Sequence, residues 1–310
     1  MMKLAILFSG QGQQFADMGQ DLYQALPAYQ KTIDAANQEL DWDLRVTEDW
    51  LDDNQRSPVA ITAMNMALYQ ALTPLIGCPT ALVGLSLGEY AALMAAGTLS
   101  FTDGLKLVAD RARYMQRAGL QQPGAMVAAL KVTPELVAAA CQRASAVGAA
   151  YPANYNLADQ IVIGGDTAGI QAVTDDLHAH GIKRVVPLDV AVASHTPLMA
   201  SASEALAYRL RYTNVAAPQI PVISNTTVAP FSESTVKETL VKQLVSPTHF
   251  AACLERLTDY DIDGVVQIGP GHNLAKFAKK TLSNVRVWSI EDVSDWQTFK
   301  QDIEEVRERG

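Results

Sequence analysis

The chain has 310 residues, 49% of them hydrophobic and 18% charged, with a formal net charge of -9. That length supports a sizeable core, built as one large unit with an insertion or as two domains. The acidic balance and the lack of a basic stripe with interleaved aromatics argue against nucleic acid as a partner. Cys78, Cys141 and Cys253, widely spaced and without a CxxC pair, suggest neither a disulfide framework nor a zinc site.

The first apolar stretch, Leu4-Ala5-Ile6-Leu7-Phe8, leads into Ser9-Gly10-Gln11-Gly12 rather than a small-residue cleavage site. Lys3 to Phe8 is therefore predicted to be a buried strand and not a signal peptide. The glycines after it do not make a dinucleotide fingerprint, because the third glycine would fall at 15 and that residue is Phe15. A glycine-flanked Gln11 at a strand end can instead turn its backbone N–H toward a ligand.

A second predicted strand, Thr80 to Val83, runs into Gly84-Leu85-Ser86-Leu87-Gly88, after which Glu89 to Ala96 is helix-forming and stops at Gly97. Strand, tight turn and helix around a glycine-flanked serine make a nucleophile elbow, with the N–H groups of the helix start facing the hydroxyl. Ser86 is the candidate nucleophile, and the N–H groups of Leu87 and Gln11 are the candidate oxyanion donors. A capping box, Ser100-Phe101-Thr102-Asp103, opens a helix expected to reach about Ala118. On it Lys106, Asp110, Arg113 and Arg117 share a polar face, whereas Arg111 has Leu107, Val108, Tyr114 and Met115 as its neighbours at three and four residues. A guanidinium on an apolar stripe needs a carboxylate or phosphate; a substrate carboxylate and an internal Asp or Glu both fit that requirement.

Gln121-Gln122-Pro123-Gly124 breaks this helix. From Ala125 to Val190 the pattern changes to strand (Met126 to Lys131), helix (Pro134 to Ala144), strand (Ala149 to Asn154), strand (Gln160 to Ile163), helix (Thr167 to His180) and strand (Lys183 to Asp189). That βαββαβ order is ferredoxin-like. Beyond it a strand-like Val190 to Val192 precedes His195, and Thr196-Pro197 opens a helix. His195 is thus expected at a strand-to-helix corner like that of Ser86, which makes it the preferred base among five histidines; His178 and His180 sit on a polar helix, and His249 and His272 come late in the chain. Pro221 to Ser224 and Gly264 to Ile268 complete the predicted strands, the latter ending in Gly269-Pro270-Gly271. The alternation implies an α/β layered fold with a largely parallel sheet, whose chemistry gathers at the carboxyl ends of its strands.

Together and in this order, several motifs resemble the malonyl-CoA:acyl carrier protein transacylases of type II fatty acid synthesis and the acyltransferase domains of polyketide synthases. They are Gly10-Gln11-Gly12, Gly84 to Tyr90, Arg111 with Met115-Gln116, Gly124-Ala125-Met126, Asn154-Tyr155-Asn156, Gln160 to Gly165, Ser194-His195, Gln243-Leu244 and Gly269-Pro270-Gly271. The resemblance implies an α/β-hydrolase-like large subdomain (1–123 and 191–310) with an inserted ferredoxin-like small subdomain (124–190). It implies Ser86 as nucleophile, His195 as base and Arg111 as holder of the malonyl carboxylate. Gln11 and Leu87 would form the oxyanion hole, Gln243 would orient the histidine through its backbone carbonyl, and Asn156 would contact the acyl or pantetheine group. It further implies a cytoplasmic enzyme that needs no cofactor or metal, with malonyl-CoA and acyl carrier protein as partners and no membrane. Lys276, Lys279 and Lys280 could meet the acidic carrier or coenzyme A phosphates, or simply form a solvated helix face.

Three positions depart from the family: Leu85 replaces a histidine, Ser9 a proline and Ser57 a glutamine. Three other readings of the chain stand beside this one. It could be a discrete polyketide acyltransferase. It could be an esterase or thioesterase with His249 or His272 as base. It could be a non-catalytic scaffold in which Arg111 makes an internal salt bridge.

Overall fold

The computed structural model describes residues 2–190 and 192–309. In chain order, β1 (Leu4–Phe8) is followed by helices α1 (Gln20–Ala25), α2 (Pro27–Asn37) and α3 (Arg56–Ile76), then by β2 (Ala81–Gly84), α4 (Gly88–Ala95) and α5 (Phe101–Gln121). The middle of the chain comprises β3 (Ala125–Leu130), α6 (Pro134–Ala144), β4 (Ala150–Leu157), β5 (Gln160–Gly165), α7 (Thr167–Ala179) and β6 (Arg184–Pro187). After it come α8 (Ala200–Leu210), β7 (Val222–Ile223), α9 (Val236–Gln243), α10 (Phe250–Arg256), β8 (Gly264–Ile268), α11 (Asn273–Thr281), β9 (Arg286–Ile290) and α12 (Val293–Arg309).

Five strands form a parallel sheet in the order β7-β2-β1-β8-β9. Alternation along the strands splits the core in two: Leu4, Ile6, Phe8, Leu82 and Val266 face one cluster, and Ala5, Leu7, Val83, Ile223 and Val265 face the other. Both faces are covered, which is why these strands read as continuous apolar runs. Phe8 lies beside both Gly84 and Ile268, and Val83 beside Ile223, so the carboxyl ends of four strands are level and the turns beyond them converge. Helix α3 is long and apolar enough to cross a membrane, but 78% of its apolar window is buried inside the protein, as a core helix requires.

The middle segment forms an antiparallel sheet in the order β4-β5-β3-β6, the ferredoxin-like arrangement that the βαββαβ pattern implies. Its helices α6 and α7 cover one face with Val137, Cys141, Ile170, Val173 and Leu177. β4 runs three residues beyond the expected Asn154, and there Asn154 pairs with Thr248, tying this sheet to the rest of the molecule. That extension places Asn156 on a strand.

One expected element, the strand at 190–192, falls partly outside the described residues. Residues 190 and 192 lie in irregular chain, and residue 191, where a subdomain boundary was expected, falls outside the described residues. Val190 N–H donates to the Leu188 carbonyl and Ser194 N–H to that of Val192, so three-residue turns flank position 191 where a ladder was expected. Conversely β9 and the helices before β2 carry no separate expectation from the sequence pattern. β9 is a sheet edge whose residues are exposed or half-buried except Ile290, so its apolar signal is diluted.

Candidate active site

Ser86 occupies the turn between β2 and α4 with φ +52°, a left-handed conformation that costs a non-glycine residue about 1–2 kcal/mol. The flanking glycines are required by contact rather than by torsion. A Cβ on Gly84 would lie 2.0 Å from the Gly88 carbonyl carbon, and one on Gly88 would lie 2.1 Å from the Phe8 carbonyl oxygen. The elbow is therefore locked against the end of β1, which brings Ser86 beside the loop that carries Gln11.

His195 also adopts positive φ, +62°, in the turn before a short 3-10 helix capped by Thr196. Its Nδ1 lies 2.8 Å from the Gln243 backbone oxygen and its Nε2 lies 2.8 Å from Ser86 Oγ. A carbonyl oxygen only accepts, so Nδ1 carries the hydrogen and Nε2 presents its lone pair to the serine hydroxyl. His195 is 3% exposed; burial, with a smaller contribution from the Arg111 charge, lowers its pKa to about 4 against the pull of the Gln243 carbonyl. The imidazole is neutral at neutral pH and free to take a proton.

Arg111 is 1% exposed at the floor of the site. Its Nη2 donates to Ser86 Oγ at 3.2 Å and to Gln243 Oε1 at 3.4 Å, and the guanidinium lies over the Tyr90 ring at 5.4 Å. Nε is buried without a partner among the described residues. Burial lowers the Arg111 pKa from its ordinary value. The internal acid that the apolar stripe allowed for is Glu89, but it does not touch the guanidinium. The Gln243 side-chain amide stands between them, donating Nε2–H to Glu89 Oε2 and accepting from Arg111 through Oε1.

The backbone N–H groups of Gln11 and Leu87 donate to no other group among the described residues, and both residues line the same cavity of about 410 Å³ as Ser86 and His195. Asn156 lines it from the antiparallel sheet, 8% exposed and with its Oδ1 unpartnered. All seven candidate residues thus converge, five on the cavity wall and Arg111 and Gln243 beneath it.

The late histidines do not reach the serine. His249 stacks on Tyr155 at 5.1 Å, and His272 is held by Ser289 at 2.9 Å and Glu291 at 2.6 Å. His272, Glu291 and Asp295 bring ligand atoms within 4.8 Å of one another, with the His272 ring bonded to Glu291 through Nε2 and to Ser289 through Nδ1.

The departures from the family pattern fit locally. Ser9 donates to Asn65 Oδ1 and accepts Asn65 Nδ2–H at its carbonyl, fastening the end of β1 to α3. Ser57 is buried in the first turn of α3, and Leu85 packs at the edge of the second core cluster. Glu89 and the side chain of Gln243 escaped the sequence reading; the signal for Glu89 was a carboxylate at the head of the apolar run Tyr90-Ala91-Ala92-Leu93.

A glycine-locked serine paired with a histidine at the carboxyl ends of a parallel sheet defines an α/β-hydrolase-like protein with a serine–histidine site. The added buried cation is what a plain esterase site would not need. The chain belongs to the acyl transferase domain family, which matches residues 6–307. It is 33% identical over 317 residues to a malonyl CoA-acyl carrier protein transacylase of Bacillus subtilis (strain 168), covering 100% of this chain and 99% of that one. It is similar to the crystal structure of MCAT from Streptococcus pneumoniae, with a TM-score of 0.92 and 36% identity over 97% of this chain and 100% of that one. It also matches a malonyl-transacylase in complex with its type II polyketide acyl-carrier protein, with a TM-score of 0.91 and 30% identity over 97% and 99% of the chains.

Proposed function

We propose that this chain transfers the malonyl group from malonyl-CoA to the phosphopantetheine thiol of an acyl carrier protein through a malonyl ester on Ser86, supplying fatty acid synthesis. The observation that carries this reading is the Arg111 guanidinium, buried, 3.2 Å from Ser86 Oγ and without a carboxylate of its own against it. A neutral acyl group would leave that charge unmet, whereas a malonyl carboxylate meets it with charge-assisted hydrogen bonds.

In the first half-reaction Ser86 gives its proton to His195 Nε2 and Oγ attacks the thioester carbonyl. The oxyanion is received by the N–H groups of Gln11 and Leu87, donors worth roughly 10²–10³ in rate each. As the tetrahedral intermediate collapses, the bond to sulfur breaks and coenzyme A leaves with the proton from His195. In the second half the carrier thiol gives its proton to His195, the thiolate attacks the ester, and Ser86 Oγ recovers the proton as it departs. The imidazolium of each half-step is stabilised by the Gln243 carbonyl dipole, in the place where a triad carboxylate would stand. Every group required belongs to this chain or to the two substrates.

Residues 124–190 are read as the small subdomain that closes the cleft with Asn156, which contacts the acyl or pantetheine group; 1–123 and 191–310 form the large one. The cysteines are unpaired, in keeping with a cytoplasmic setting. Lys276, Lys279 and Lys280 are exposed on α11, whose Asn273, Leu274 and Phe277 line the cleft, so an acidic carrier could meet them there.

Intact-protein mass spectrometry after separate incubation with malonyl-, methylmalonyl- and acetyl-CoA tests the reading. A malonyl adduct that is absent in Ser86→Ala and is discharged by holo carrier protein is expected. The absence of any adduct on the wild-type protein would overturn it.

A further inference from the structure

Glu89 is fully buried in the first turn of α4, three residues after the serine, and has no place in the two half-reactions above. Its Oε1 accepts the Asn225 backbone N–H, and its Oε2 accepts Gln243 Nε2–H. The same Nε2 donates to the Ser86 carbonyl at 3.0 Å. Gln243 therefore performs two separate tasks. Its backbone carbonyl holds His195, and its side-chain oxygen faces Arg111.

An amide has a donor end and an acceptor end, and only the donor end can satisfy a carboxylate oxygen. With Nε2 drawn to Glu89 and the Ser86 carbonyl, Oε1 is left facing the guanidinium. The reversed amide would set its N–H bonds against those of Arg111 and its oxygen against the Glu89 carboxylate, leaving buried groups unmet. The amide also keeps the two charges apart. A carboxylate placed directly on Arg111 would form the internal pair that a substrate carboxylate must otherwise displace.

We infer that Glu89 is a positioning residue that sets the direction of the Gln243 amide and so keeps the Arg111 guanidinium available to a carboxylate-bearing acyl group. The inference rests on the acyl-transfer reading above and extends it to the source of the donor preference. Burial raises the Glu89 pKa to about 8 against the hydrogen bonds from Asn225, Gln243 and Ser224 and the Arg111 charge, so the carboxylate that fixes the amide predominates above about pH 8, where the rates below are compared.

Glu89→Gln keeps the shape and exchanges one oxygen for an amino group. The Asn225 N–H demands the one oxygen that remains on the substituted side chain, so the new amino group faces Gln243, calls for its oxygen, and swings its Nε2 toward Arg111. A second variant, Gln243→Glu, retains the backbone carbonyl for His195 but sets a carboxylate against the guanidinium. For each protein the rates of acyl-enzyme formation from malonyl-CoA and from acetyl-CoA are measured by quenched-flow mass spectrometry. The malonyl-to-acetyl ratio is expected to fall at least about tenfold in both variants, mainly through the malonyl rate, as the loss of about one buried charged contact implies. A general loss of packing would lower both rates together. A ratio within about twofold of wild type in either variant overturns the inference, and if Glu89→Gln does not fold, Gln243→Glu decides. A wild-type protein that forms no adduct would instead sink the acyl-transfer reading itself.

Discussion

Replacing Arg111 with alanine isolates the part of the site that chooses the donor. The guanidinium is 1% exposed, 3.2 Å from Ser86 Oγ, and touches no carboxylate, so the substitution removes a cation without stranding a direct ion partner. Truncating one member of a buried, hydrogen-bonded charge pair costs about 2–5 kcal/mol, and each 1.36 kcal/mol is tenfold in rate. If the malonyl carboxylate is that partner, kcat/KM for malonyl transfer should drop by about 30-fold to a few thousandfold. An acetyl group makes no such pair, so its transfer should stay within about tenfold of wild type, since Ser86, His195 and the two N–H donors are untouched. The assay follows acyl-enzyme formation from malonyl- and acetyl-CoA under single-turnover conditions, with a thermal melt to show that the variant is folded. Equal losses with both donors in a folded variant would refute the assignment and leave Arg111 as a structural cation.

Gly88→Ala forces a Cβ to within 2.1 Å of the Phe8 carbonyl, so the elbow must move away from β1. A cost of about 2–4 kcal/mol is expected, lowering Tm by more than about 4 °C and abolishing acylation; an unshifted melt with intact acylation would contradict the contact argument. His195→Ala should abolish malonylation, while His249→Ala and His272→Ala should retain it within about threefold, because neither ring bonds to Ser86. Dependence on His272 would favour an esterase mechanism. The acid limb of kcat/KM should lie well below 6.5, near the pKa of about 4 that burial imposes on His195. The limb of kcat should lie higher, because a bound carboxylate neutralises Arg111, whose charge is one of the forces holding the imidazole down. The same shift contributes stability that is complete above about pH 6.5 and is lost as pH falls toward 4, since the unfolded imidazole binds its proton more readily. A limb of kcat/KM at or above 6.5 would show that His195 is solvated in the working enzyme.

Local chemistry carried much of this protein in its sequence. Apolar runs ending in glycine-rich turns marked β1, β2 and β8. Gly84 and Gly88 framed Ser86 because a Cβ at either position would lie 2.0–2.1 Å from neighbouring backbone atoms. The switch of pattern at Gln122-Pro123-Gly124 announced the antiparallel sheet, and Arg111 stood out because helical period places it among Leu107, Val108 and Met115. Other features depend on partners far away along the chain. The expected strand at 190–192 was a propensity reading, and the described residues on either side of 191 bond locally instead. The role of Gln243 is a meeting of residues 86, 89 and 111 around its side-chain amide and of His195 at its backbone carbonyl, and nothing in the residues near 243 specifies it. Whether the buried guanidinium would be cancelled by an internal acid was open on periodicity alone. Only the packed structure decided it, by interposing a neutral amide between Glu89 and Arg111, because a buried charge is answered by whatever the fold brings within hydrogen-bond reach and not by its neighbours in sequence.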